Sequence, residues 1–276
     1  MITVSEQLTW AKRLLNGKDQ PLLEAQVLLS HVLKCERVKL IAWPEMDVSP
    51  EQQEFFRQLV ERRIQNEPVA YLVGEKEFWS HSFFVTTDTL VPRPDTEKLV
   101  EVVLETLPNE PMTVVDVGTG SGIIACIFAI MRPNWQVIGV DISQQALEVA
   151  EMNAKRHKLT NVKWVHSRWL EALDNQTFDA IVSNPPYLRA DDEHLQQGDL
   201  SFEPIGALVS GKTGLEAYEH IIAQAVMRLK KGGTIAFEHG YDQAGQVQAL
   251  LVESNFTEIA THKDLSGNSR VTMGTR

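Results

Sequence analysis

The feature that most constrains this chain is Asp116-Val117-Gly118-Thr119-Gly120-Ser121-Gly122, set between the strand-like run VVDV (114–117) and the apolar run IIACIFAI (123–130). Glycines at such a junction let the backbone approach a ligand and turn tightly into a helix whose first N–H groups have no intrahelical partner. About 20 residues further on Asp141 ends the run QVIGVD, where a carboxylate can accept hydrogen bonds from both hydroxyls of a ribose. A dinucleotide site calls for G-x-G-x-x-G, because the pyrophosphate needs the helix end, whereas these glycines alternate as G-x-G-x-G. That spacing favours S-adenosylmethionine, with Asp116 placed to hydrogen-bond near its methionine ammonium.

Around this turn the runs VVDV, QVIGVD, VKWVH, FDAIVSN and GTIAFEHG alternate with amphipathic segments of helix length. The alternation predicts a Rossmann-like α/β fold, a doubly wound parallel sheet. The end of the chain, FTEIATHKDLSGNSRVTMG, predicts an antiparallel hairpin around a Gly-Asn turn that closes the sheet. Residues 1–76 differ: Leu22, Ala25, Leu28, Leu29 and Val32 recur at helical spacing with breaks at Pro21, Pro44 and Pro50, which predicts a small helical domain. Residues 77–94, β-branched and aromatic and ending in Pro-Arg-Pro, read as a β-hairpin linker, leaving 95–276 as the ligand-binding domain. Arg57, Arg62 and Arg63 alternate with Glu54, Glu61 and Glu67 and read as a solvated helix face.

Several function classes are disfavoured. Against 37 acidic residues stand 26 Lys and Arg, a net charge of -11, and a protein that lives on nucleic acid needs a basic face. No stretch approaches about 18 uninterrupted apolar residues, so no membrane span and a cytoplasmic location are expected. Cys35 and Cys126 lie far apart without metal-ligand companions, which points to small buried hydrophobes and to no metal. A monomer is expected, since a large partner must reach the cleft.

The fourth strand runs directly into Asn184-Pro185-Pro186-Tyr187. In open α/β folds this carboxyl edge is where ligands bind. Two prolines stiffen the backbone and remove local donors, so the Asn184 side chain and the Pro185 carbonyl can accept the two hydrogens of a planar NH2 group, while Tyr187 stacks on its flat face. An amide or aromatic amine nitrogen is a weak nucleophile, and acceptors that stabilise its developing positive charge are what a methyl transfer to it needs. Taken alone, the same four residues could be a rigid turn.

Six blocks together resemble the bacterial peptide chain release factor glutamine methyltransferases: EFWS (77–80), LVPRPDTE (90–97), DVGTGSG (116–122), VSNPPY (182–187), FEPIGAL (202–208) and EHG (238–240). The resemblance spans nearly the whole chain. It implies methylation of the glutamine in the Gly-Gly-Gln motif of class I release factors, with the helical domain helping to hold the factor. It also implies cofactor contacts from Gly118, Thr119, Gly120, Ser121, Gly122, Asp141, Trp169 and Asn184, with the glutamine against Asn184, Pro185, Pro186 and Tyr187. Trp169 would wall the adenine. Relatives commonly carry an acidic residue before that aromatic, whereas this chain has Arg168, so the Ser167 hydroxyl or the backbone is expected to serve the adenine amino group. A sister family acting on ribosomal protein L3 usually has a Pro-Arg-Ser-Pro linker, and a nucleic acid adenine-N6 methyltransferase or a cofactor-binding scaffold without turnover are the remaining alternatives. In PRPDTE, Asp95 can cap the next helix or the block can touch substrate; Glu203-Pro204 reads as a lid or docking element, and His239 as a residue packed at a strand end.

Overall fold

The computed structural model describes residues 2–276. The chain divides into two compact units, the first running to Glu75 and taking in Gln196–Phe202, the second comprising Lys76–Leu195 and Glu203–Arg276.

In the first unit β1 (Ile2–Thr3) leads into α1 (Val4–Leu14), followed by α2 (Pro21–Leu33), α3 (Arg37–Ala42), β2 (Asp47–Val48, antiparallel to β1), α4 (Pro50–Ile64) and α5 (Val69–Val73). The prolines begin helices here: Pro21 and Pro50 occupy first-turn positions where no N–H is needed. Reciprocal capping boxes start α1 (Thr3 with Glu6) and α4 (Ser49 with Gln52). Val4, Ala11, Leu28, Leu29, Phe56 and Leu59 form the core. The solvated-face reading of the arginines is corrected at Arg63, which shares the inner stripe of α4 with Phe56, Leu59 and Val60 at intervals of three and four residues and is only 5% exposed. Its guanidinium stays charged by pairing with Glu24 (2.7 Å) and with Asp199 (2.6 Å) of the inserted segment.

From Glu75, the last residue of the first stretch, the chain forms the hairpin of β3 (Glu75–Phe78) and β4 (His81–Phe84), joined through Trp79 and Ser80 at φ 52° and 58°. There follow α6 (Thr96–Thr106), β5 (Thr113–Val117), α7 (Ile123–Met131), β6 (Gln136–Asp141), α8 (Gln144–Arg156), β7 (Val162–His166), β8 (Phe178–Ser183), α9 (Ile205–Leu208), α10 (Glu216–Arg228), β9 (Leu229–Glu238), α11 (Ala244–Glu253), β10 (Thr257–Lys263) and β11 (Ser269–Thr275). The sheet order is β10-β11-β9-β8-β5-β6-β7, parallel from β9 to β7 and antiparallel where β11 meets β9 and β10. This is the doubly wound sheet with its closing hairpin. The hairpin connection is organised by Asp264, whose Oδ1 accepts from Ser266 N and Asn268 N at 2.9 Å, so the turn extends beyond Gly267 and Asn268.

Both faces of the sheet are covered, which is why its central strands are nearly continuous in apolar residues. Leu99, Val103, Ile124, Phe128 and Trp135 pack on the face carrying Val114, while Tyr218, Ile221, Val247 and Leu251 pack on the face carrying Val115 and Val117. Among the described residues no helix is long and apolar enough to cross a membrane.

Asn153 on α8 joins the hairpin to the glycine turn. Fully buried, it accepts from Phe84 N (2.7 Å) and donates to Phe84 O (3.0 Å) and Ser121 O (2.8 Å). Asn153→Leu leaves three backbone groups without this partner, those of Phe84 part-buried and that of Ser121 buried, at roughly 1–3 kcal/mol each where no water can enter. A fall in the urea midpoint equivalent to at least about 2 kcal/mol at unchanged m is expected, and a smaller loss would show that the hairpin does not depend on this residue.

Candidate active site

Strand β5 hands over to β6 on one side and β8 lies on its other side, so the topological switch point falls at the C-terminal end of β5. Val117 pairs with Ser183, and Ser183 Oγ donates to Val117 O at 2.6 Å. Asp116–Gly122 and Asn184–Tyr187 therefore emerge side by side. Above them lies a cavity of about 540 Å³ lined by Gly118, Gly120, Asp141, Trp169, Asn184 and Pro186 among others.

The glycines divide by task. Gly118 (φ 73°) and Gly120 (φ 54°) have open space where a Cβ would stand, which leaves room for a ligand against the backbone. Gly122 (φ 78°) does not: a Cβ there would come within 2.7 Å of Ala150 and Trp164, so its role is close packing at the start of α7. Asp141 holds the turn as well as facing the cavity, its Oδ2 accepting from Gly120 N (2.8 Å) and its Oδ1 from Ser143 N (2.9 Å). Each oxygen keeps acceptor capacity for a ribose hydroxyl.

Asp116 is fully buried, with Oδ2 accepting from Thr119 Oγ1 (2.5 Å) and Ala125 N (3.2 Å) and with Oδ1 lacking any hydrogen-bond partner. Burial pushes its carboxyl up to about 7. Asp116, Thr119, Ser121, Gly122, Pro185 and Tyr187 adjoin lining residues in the chain and are not themselves among the residues that line the cavity. Tyr187 is held by its carbonyl, which accepts from Gln243 Nε2 at 3.1 Å, and Gln243 Oε1 in turn accepts from Gly240 N at 2.9 Å.

Trp169 sits in the left-handed region (φ 50°), lines the cavity, and has a buried indole N–H with no partner. A non-glycine residue held there needs its surroundings to fix it. Here Leu170 N donates to Gln224 Oε1 (2.8 Å), and the Ser167 hydroxyl accepts from Ala172 N (2.9 Å) while donating to Arg168 O (3.4 Å). The Ser167 oxygen thus keeps a second acceptor lone pair, and Ser167 and exposed Arg168 both line the cavity beside Trp169.

The PRPDTE block is ordered by ion pairs. Asp95 makes no side-chain cap, contrary to the capping expectation; its backbone is already helical (φ -61°, ψ -31°) and its carboxylate turns to Arg270 at 3.0 Å. Glu203, 6% exposed, accepts from Val91 N (3.0 Å) and pairs with Arg93, clamping the segment before α6. His239 packs at the end of β9, fully buried between Gly240 O (2.9 Å) and Thr272 Oγ1 (2.8 Å).

Relatives match this chain along almost their whole length. Release factor glutamine methyltransferases of Coxiella burnetii and Aliivibrio fischeri are each 43% identical, over 99% and 94% of this chain and 96% and 92% of theirs; that of Escherichia coli is 40% identical over 94% of both. The chain belongs to the release factor glutamine methyltransferase family. Residues 6–74 match the PrmC N-terminal domain and residues 95–199 the methyltransferase small domain. The fold is shared with a methyltransferase from Pyrococcus furiosus (TM-score 0.54, 18% identity, 79% of this chain and 97% of that one). It is shared also with a Thermus thermophilus 16S rRNA methyltransferase solved with AdoMet and guanosine (TM-score 0.53, 21% identity, 73% and 49%).

For a member of this family the cavity has walls that sequence reading missed. Thr87, Asp88, Thr89 and Leu90 line it, as do Gly206, Ala207, Ser210 and His220. The Thr87–Thr89 stretch lacks a motif of its own, although its position just before the LVPRPDTE block (90–97) was a usable signal.

Two predictions follow from the site's geometry. Asp141→Ala removes a half-buried carboxylate that faces the cavity and holds Gly120 N. Loss of a charge-assisted hydrogen bond costs roughly 1.5–3 kcal/mol, so calorimetry should show S-adenosylmethionine bound about 10–100-fold more weakly. Asp116 and Glu238 are both raised to about 7 by burial, from ordinary values of 3.8 and 4.5. Their neutral forms favour the fold, so that stability is fully present below the unfolded values and is lost as pH rises through about 7. A urea-midpoint series across this range should decline towards neutral pH, and Asp116→Asn should flatten part of that decline.

Proposed function

We propose that this chain transfers a methyl group from S-adenosylmethionine to the side-chain N5 of the glutamine in the Gly-Gly-Gln motif of class I release factors. The observation that carries the reading is that Asn184 and Pro186 share one cavity with Gly118, Gly120 and Asp141, at the ends of adjacent strands. The cavity fits the donor: space stands open over Gly118 and Gly120, the Trp169 indole offers a wall, and Asp141 retains acceptor capacity. When bound there, S-adenosylmethionine supplies an electrophilic sulfonium methyl.

The chain's own residues do the rest. Asn184 Oδ1 and the Pro185 carbonyl accept the two hydrogens of the glutamine NH2, which turns its lone pair away from them and stabilises the charge that develops on nitrogen. Tyr187, whose carbonyl is fixed by Gln243, flanks the planar amide. The methylated amide is acidic and gives its surplus proton to water, so no general base is assigned. Holding both reactants in line supplies much of the rate, up to roughly 7–11 kcal/mol in well-aligned systems.

The first unit is read as the part that holds the release factor, a reading supported by its match along residues 6–74 and by Val38, Ile41 and Trp43, which are 64%, 62% and 54% exposed. The net charge of -11 favours a protein acceptor over a nucleic acid. We place the activity in the cytoplasm, where translation termination occurs, and in a monomer.

Incubation of the purified protein with labelled S-adenosylmethionine and a class I release factor, followed by peptide mass mapping, should put one methyl on the Gly-Gly-Gln glutamine. Label on ribosomal protein or on DNA instead would overturn this acceptor. Asn184→Ala should lower the rate by about 10²–10³-fold, the loss typical of one positioned transition-state partner, while leaving donor binding in place.

A further inference from the structure

Behind Asn184 lies a short polar chain that methyl transfer has not yet used. Asn184 Nδ2 donates to the hydroxyl of Thr96, the first residue of α6, at 3.2 Å. Thr96 is 2% exposed, and its hydroxyl also interacts with the carboxyl of Glu238 at the end of β9. Glu238 is 1% exposed and its Oε2 is buried without a hydrogen-bond partner. The PRPDTE, NPPY and EHG blocks thus meet in one line of side chains: α6, the end of β8, and the end of β9.

The geometry points to Thr96 and Glu238 as positioning residues that decide which face of the Asn184 amide is turned to the acceptor nitrogen. This rests on the assignment of Asn184 as an acceptor for the glutamine NH2. A carboxylate can only accept, so ionised Glu238 takes the Thr96 proton; the Thr96 oxygen is then an acceptor, and Asn184 must present Nδ2 to it and Oδ1 to the cavity. Protonation of Glu238 removes that constraint and lets the line reverse. The carboxyl then donates to Thr96, Thr96 donates to Asn184 Oδ1, and the amide turns Nδ2 towards the substrate, donor against donor.

Charged groups face Glu238 from two segments and neutral phenols from two more. Arg270 faces it from β11, Arg93 and Asp95 from the segment before α6, Tyr187 from beyond β8 and Tyr218 from α10, the last donating to Glu238 O at 3.0 Å. The arginines favour the ionised form, whereas burial, the larger effect, pushes the Glu238 carboxyl up to about 7. The line is therefore set correctly above neutral pH and is lost as pH falls through about 7.

The test measures kcat and KM for the release factor and the dissociation constant for S-adenosylmethionine in wild type, Thr96→Val, Thr96→Ser, Glu238→Gln and Asn184→Ala, with kcat followed across pH. Thr96→Val should lower kcat by about 10–100-fold with donor binding within about twofold, since a slightly misplaced reacting group can cost that much. Thr96→Ser should restore kcat to within a few-fold. Glu238→Gln should abolish the fall in kcat on the acid side, which separates this group from Asp116, raised to about 7 as well. Wild-type kcat in Thr96→Val overturns the inference, as does a loss matched by equal losses of donor binding and unfolding midpoint. Should Thr96→Val not fold, the Glu238→Gln profile decides: a flat profile supports the line and an unchanged acid limb overturns it. Full activity in Asn184→Ala would overturn the acceptor assignment together with this inference, whereas loss in Asn184→Ala beside wild-type Thr96→Val overturns this inference alone.

Discussion

The pairing of β5 with β8 is what the rest of the site depends on. Val117 lies opposite Ser183, and the Ser183 hydroxyl closes on Val117 O where the two strands end. One strand then opens into a turn that leaves backbone exposed to a ligand, and the other into a proline-stiffened segment carrying an amide side chain. A slip of one residue in this register would send Asn184 to the other face of the sheet, because successive side chains alternate. The register is secured by apolar residues buried on both faces, Val115 and Ile181 on one and Val114 and Ala180 on the other.

Around that pairing the molecule buries several polar side chains. Asp116, Asn153, Glu238 and His239 are each 1% exposed or less. Burial alone would disfavour them, and each is offset by specific partners: Asp116 by Thr119 and Ala125, Asn153 by Phe84 and Ser121, His239 by Gly240 and Thr272. Two of these carboxyls keep an oxygen without a hydrogen-bond partner, Asp116 beneath the glycine turn and Glu238 behind Thr96. A fold tolerates such groups where they hold a functional arrangement at some cost in stability.

Much of the fold was legible because its signals are local. Alternation of apolar strands with amphipathic helices announced the sheet, and the glycine spacing with Asp141 singled out residues that the structure brings to one cavity. Other features were not legible because they depend on distant partners. The capping reading of Asp95 failed because Arg270, far along the chain, draws its carboxylate away from the helix end. The bond from Ala172 N to the Ser167 hydroxyl, which steadies the turn carrying Trp169, has no signature of its own in the sequence. Arg63 was misread for a different reason: its place on the inner stripe of α4 was visible in the heptad-like spacing from Phe56, but the charge pattern of its neighbours spoke for solvent.

From its own residues the sequence determined the order of strands and helices, the glycine turn, and the presence of an Asn-Pro-Pro-Tyr segment at a strand end, since periodicity, glycine conformation and proline stiffness act over a few neighbouring positions. Only the tertiary structure decided that Gly122 packs while Gly118 and Gly120 face open space, that Gln196–Phe202 belongs with the helical unit, and that Thr96 and Glu238 stand behind Asn184. Those relations join residues up to 142 positions apart, between 96 and 238. Side-chain hydrogen bonds and close contacts of that kind are set by where the packed sheet brings the chain back to itself, and no local pattern encodes that.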